Sequence, residues 1–79
     1  MCLPWSETPT SSCSGGGEYK ALDWNMRDSD PSNCQVLCQQ EQQIGCCYFN
    51  NKVGCHWKAG GNSVTGGDAM TTTCYPGKN

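Results

Sequence analysis

Eight cysteines stand in a chain of 79 residues, at positions 2, 13, 34, 38, 46, 47, 55 and 74. Nothing else in the sequence restricts the fold as strongly. Cysteine at about a tenth of the residues belongs to disulfide scaffolds rather than to ordinary globular domains. The even count reads most simply as four bridges with no free thiol. Each bridge contributes about 2–4 kcal/mol, largely by restricting the unfolded chain. Such bonds persist in oxidising surroundings, so the expected setting is secreted, extracellular or within a secretory organelle.

The chain needs this covalent help. Its length fits a single domain over residues 1–79, too small for an apolar core to be sufficient alone. Hydrophobic residues, cysteine included, make up only 35%, and Leu3, Leu22, Leu37, Ile44 and Phe49 are all its leucine, isoleucine and phenylalanine. The opening MCLPWSETPT has neither a basic start nor an apolar run, and reads as a mature domain with its leader removed. No stretch has the length and apolarity to cross a membrane as a helix, and no Asn-x-Ser/Thr acceptor occurs.

Net charge is −2, and Lys20, Arg27, Lys52, Lys58 and Lys78 are spaced singly. Nucleic acid, heparin-type sulfated glycans and anionic membranes all select clustered Lys and Arg, so none is an expected partner.

Local patterns divide the chain. Residues 1–17 carry Pro4, Pro9, many hydroxyl residues and Gly15–Gly17, and read as an irregular arm held by Cys2 and Cys13. EYKALDW (18–24) reads as a short extended segment. Asp30 before Pro31 suits the N-cap and first position of a helix. Cys34, Leu37, Cys38, Glu41 and Ile44 then recur at helical spacing, and Gly45 is a natural stop, so a helix is expected over about 31–44. After it, CCYFNNKVGCHWK reads as two short strands joined by NNKVG. The glycine-rich stretch 59–69 reads as a flexible loop, and TTTCY (71–75) as a strand.

Each chemical reading has a plainer competitor. Zinc sites favour Cys-x-x-Cys knuckles, and the chain has none. A set of Cys34, Cys38, Cys55 and His56 would leave an odd number of cysteines, so structural disulfides are preferred and no metal or cofactor is expected. A disulfide between adjacent Cys46 and Cys47 would distort the peptide, so each is assigned its own bridge on its own face of a strand. The single histidine, His56, adjoins a cysteine expected to be bridged, and Asp28 and Asp30 suit helix capping better than acid–base work. No catalytic residues are assigned and no enzyme is expected. Asp68 and Asn62 offer too few oxygens for calcium.

Aromatic residues are many beside so few aliphatics: Trp5, Trp24, Trp57, Tyr19, Tyr48, Tyr75 and Phe49. Phe49 or Tyr48, together with Trp24, is expected in the core. Trp57 or Trp5 is expected to expose an indole, a surface suited to sugar faces and to protein partners. Regular alternation would put His56 and Lys58 on one face of a strand and Trp57 on the other. The candidate binding residues are Trp57, Trp5, His56, Lys58 and Asn62.

The stretches CQVLC (34–38), GCCYF (45–49) and GCHWK (54–58), followed by Cys74, resemble the PAN/apple domain family over roughly residues 13–75. The resemblance implies a small disulfide-rich α+β fold: one helix packed on a short twisted antiparallel sheet. It implies bridges Cys34–Cys55, Cys38 to Cys46 or Cys47, and Cys13 or Cys2 to Cys74, with the remaining pair drawn from Cys2, Cys13, Cys46 and Cys47. Domains of this family serve in adhesion, proteolytic cascades and parasite surface proteins. The expected function is therefore a non-catalytic secreted or cell-surface module that recognises carbohydrate or an extracellular protein, without membrane insertion. The alternative is a free-standing secreted cysteine-rich signalling protein, pheromone, toxin or defence protein. A protease inhibitor would need a rigid exposed loop, which AGGNSVTGG does not suggest.

Overall fold

The computed structural model describes residues 1–5, 10–23 and 30–76. Trp24 and Asp28 lie outside the described residues. The fold is a small α+β unit with one helix, antiparallel sheets and four disulfides.

Helix α1, Pro31–Gln39, begins where local chemistry dictates. Asp30 is extended, and its Oδ1 accepts from the Asn33 backbone N–H at 2.8 Å. Pro31 follows at the first helical position, where a backbone N–H is not needed. Cys34 and Cys38 are both buried, one turn apart on the face turned to the sheet.

The helix is shorter than its sequence period suggests. It ends at Gln39 rather than at residue 44, and Gln42 sits at φ 57° in the left-handed region. Cys38 is bridged to Cys47, only nine residues on, with Cα atoms 5.8 Å apart. A helix continued to Ile44 would carry the chain about 9 Å away, and the strand that contains Cys47 leaves no slack for a return. Ile44 is consequently 47% exposed, although its periodicity placed it on the buried face. Gly45 is not a helix stop but the first residue of a strand. It is buried against the Trp57 ring, and a Cβ there would lie 2.3 Å from Trp57 Cζ2.

The main sheet contains β2 (Tyr19–Asp23), β3 (Gly45–Asn50), β4 (Gly54–Ala59) and β6 (Met70–Cys74), ordered β2-β4-β3-β6 and antiparallel throughout. Asn50 closes the β3–β4 hairpin. Its side-chain oxygen accepts from Lys52 N–H at 2.6 Å and its carbonyl from Val53 N–H at 3.3 Å. Gly54 then takes φ 80°, which a residue with a side chain rarely adopts.

The stretches read as irregular arm and flexible loop also contain strands. β1 (Ser11–Ser14) pairs with β5 (Asn62–Thr65) as a two-stranded ribbon. The glycines of 59–69 are not a featureless run, for they turn the chain at the ends of β5, with Gly60 at φ 77° and Gly66 at φ 104°. The strand between them is held from outside, which is why local composition conceals it. The ribbon lies on the sheet through Cys13–Cys46. Around that bridge runs a chain of hydroxyls. Ser63 Oγ meets Thr71 Oγ1 at 2.5 Å, Thr71 Oγ1 donates to Ser11 Oγ at 2.8 Å, and Ser11 Oγ donates to the Ala69 carbonyl at 2.9 Å.

Strand parity assigns the adjacent cysteines. Cys46 points toward the ribbon, whereas Cys47 points toward the helix and is bridged to Cys38. Cys34 is joined to Cys55 on β4, and Cys2 to Cys74 on β6. The last bridge binds residues 1–3 along the sheet edge, where Leu3 N–H donates to the Thr73 carbonyl at 3.0 Å. Cys34, Cys38, Cys47, Cys55, Cys74, Phe49 and Trp57 form the core, with Trp5, Leu22 and Met70 packed around it. A core of cystines and two aromatic rings replaces the aliphatic core that the composition cannot supply.

Candidate functional site

Helix and ribbon cover opposite faces of the sheet, but the ribbon covers only part of its own. The uncovered part carries Tyr19 of β2, Tyr48 of β3, and His56 and Lys58 of β4. Tyr48 is directly opposite His56, and Tyr19 directly opposite Lys58. Residues so paired share a face, so the pleat alone brings the four side chains together.

Three rings meet there at steep angles. Tyr19 and Tyr48 have centroids 5.2 Å apart at 63°, Tyr48 and His56 6.0 Å at 88°, and Tyr19 and His56 6.2 Å at 89°. All are edge-to-face, the arrangement that ring quadrupoles favour. Lys58 Nζ lies 5.0 Å from the Tyr19 centroid, above its face. Tyr19, Tyr48, His56 and Val53 of the hairpin turn line a shallow, open depression of about 190 Å³.

Tyr19 is 44% exposed, while Tyr48 and His56 are half-buried. Burial, then the negative charge of Asp68, then Tyr19 raise the Tyr48 phenol above the usual tyrosine range. Tyr48 is thereby held as a neutral hydroxyl, able both to donate and to accept. The His56 Nδ1 atom is buried without a hydrogen-bond partner among the described residues. The depression thus has mainly apolar walls, and His56 Nδ1 lies beneath its surface rather than in it.

Of the candidates drawn from sequence, His56 and Lys58 lie in this patch. Trp57 does not. It is 2% exposed, beneath the helix on the opposite face, so it is a core residue and not an exposed platform. Trp5 is half-buried against the same core. The expected exposed indole is therefore absent among the described residues, because a chain this poor in leucine and isoleucine uses its largest rings inside. Asn62 is exposed at the start of β5, opposite Ser14 in the ribbon and outside the patch.

Tyr19 and Tyr48 are not among the binding residues that the sequence alone suggests. The hairpin turn is the signal that finds Tyr48, whereas Tyr19 is brought in by the β2–β4 pairing, which no local signal marks. Counting outward from NNKVG pairs Asn50 with Gly54, Phe49 with Cys55 and Tyr48 with His56. This parity also settles Phe49 as the buried member of its pair with Tyr48.

No family model, curated protein or solved structure matches the chain.

Proposed function

We propose that the chain is a non-catalytic binding module, secreted or displayed at a cell surface, that recognises carbohydrate through Tyr19, Tyr48, His56 and Lys58. The observation that carries this reading is the uncovered aromatic patch, built on rigid paired strands rather than on a loop. Sugar rings present C–H faces that pack on aromatic rings and hydroxyls that pair with phenol and imidazole. The depression is too open to enclose a reacting group, but it offers an edge on which a pyranose can rest. A single lysine, already above Tyr19, does not make the basic cluster that sulfated glycans select.

The helix laid on an antiparallel sheet, with Cys34 and Cys38 bridged to the two central strands, supports the PAN/apple-like reading. The four bridges are compatible with an oxidising or extracellular setting, and no helix among the described residues is long and apolar enough to cross a membrane.

A glycan array with the oxidised protein tests the proposal. Saturable binding to a neutral sugar class is expected, lost on Tyr48→Ala or Tyr19→Ala with unfolding midpoints little changed. Failure to bind any glycan would refute the carbohydrate reading. Glycan binding untouched by both substitutions would refute the site.

A further inference from the structure

The aromatic patch leaves unused a dense cluster of sulfur atoms among the described residues, which lies on the other face of the sheet. The Sγ atoms of Cys34, Cys38, Cys47 and Cys55 all lie within 4.8 Å of one another, and all four residues are buried. Two come from α1 one turn apart, one from β3 and one from β4. The two bridges they form run side by side, with Cys34 Sγ and Cys47 Sγ 3.6 Å apart across them.

We propose that these four cysteines form a closed tetrathiolate site for a thiophilic divalent metal, zinc(II) above all, when the chain is reduced. A tetrahedral zinc with Zn–S of about 2.3 Å sets its sulfurs about 3.8 Å apart. The contact between the two bridges already has that spacing. Opening any S–S bond, about 2.05 Å long, to the same separation moves each sulfur by only about 1 Å. Side-chain torsions on a fixed backbone supply such a shift. Two neighbouring strands and one helix present the ligands to one point, and the core around them excludes water, as in structural rather than catalytic zinc sites.

The other four cysteines do not join this set. Cys46 points to the opposite face toward Cys13, and Cys2–Cys74 lies at the sheet edge. His56, considered as a ligand beside Cys55, is on the ribbon face, and Cys47 takes its place. A search for Cys-x-x-Cys knuckles misses the site because three separate elements bring its ligands together.

The step balances simply. Two molecules of a dithiol each give two electrons and two protons to one bridge and become disulfides. The resulting four thiols bind zinc(II) and release four protons, leaving a cluster of charge −2. Two molecules of a small disulfide, taking up four electrons and four protons to become four thiols, re-form both bridges and expel the metal. The redox state of the surroundings thus selects which of two covalent states staples the same core, whatever ligand the aromatic patch takes.

The test uses the full chain, reduced without oxygen and freed of reductant. One cobalt(II) per chain is expected to bind with the absorption of a tetrahedral tetrathiolate, and zinc(II) to displace it. Pulsed alkylation with peptide mapping then reads the ligands directly. In zinc(II), Cys34, Cys38, Cys47 and Cys55 are expected to react at least about tenfold more slowly than in its absence. Cys2 and Cys13, only half-buried, are expected to react at nearly unchanged rates, and Cys46 and Cys74, buried by the fold itself, to be slowed less than the four ligands. Lack of a tetrahedral cobalt spectrum, or stronger protection of any other set of cysteines, would overturn the proposal.

Discussion

Alanine at Gly45 is expected to destabilise the protein although it ought by backbone rules to help. Gly45 is a strand residue without positive φ, so alanine fits the backbone and would gain about 0.4–1 kcal/mol by restricting the unfolded chain. Its Cβ, however, would lie 2.3, 2.6 and 2.8 Å from Cζ2, Cη2 and Cε2 of Trp57. Ordinary carbon contacts are about 3.5–4.0 Å, so ring and strand must separate by about 1 Å or more. The indole cannot give way, since it is 2% exposed in a core fixed by bridges. Overpacking of this kind costs about 1–3 kcal/mol. The net loss expected is about 1–2 kcal/mol, or a fall in Tm of roughly 5–15 °C in a domain of this size. Guanidinium and thermal unfolding of the oxidised Gly45→Ala protein measure it. Trp57→Phe removes the atoms that clash, so the loss should largely vanish in the double variant. A Gly45→Ala protein as stable as its parent, or an equal loss in both backgrounds, would refute the packing argument.

Three further outcomes follow from the geometry. Asp30→Ala removes the acceptor for the Asn33 N–H and should cost about 1 kcal/mol, seen as a lower unfolding midpoint. Absorbance titration should show Tyr48 ionising above the ordinary tyrosine range. Its folded pKa is raised, so its contribution to stability is whole below the ordinary tyrosine pKa of about 10 and is lost as pH rises through the folded value. Unfolding midpoints should therefore fall in that alkaline window in the parent, and less so in Tyr48→Phe. Replacing Cys13 and Cys46 together by serine releases a bridge of sequence separation 33 and should cost about 3–4 kcal/mol. Hydrogen exchange should then quicken in β1 and β5 well before β3 and β4.

Local signals were legible where they were strong. Asp30-Pro31 marked the helix start, and NNKVG marked the hairpin, because each is a short-range chemical necessity. What tertiary constraints decided was hidden. The helix period continued through Ile44, yet the short span from Cys38 to Cys47 stopped the helix at Gln39. The stretch 59–69 looked like a loop because β5 borrows its order from β1, from Cys13–Cys46 and from Thr71 and Thr73. Trp57 looked like a surface anchor because tryptophan serves so well at interfaces. Parity and the scarcity of aliphatic side chains instead place it inside and turn His56 and Lys58 outward.

The proposed ligand face is the one that carries Tyr19, Tyr48, His56 and Lys58. NMR titration of the oxidised protein with the best neutral oligosaccharide from the array tests it most directly. Side-chain signals of Tyr19, Tyr48 and His56 should shift saturably, while those of Trp5, Trp57 and the α1 backbone stay in place. Shifts confined to α1, or to Asn62 and the rest of the ribbon, would contradict the account.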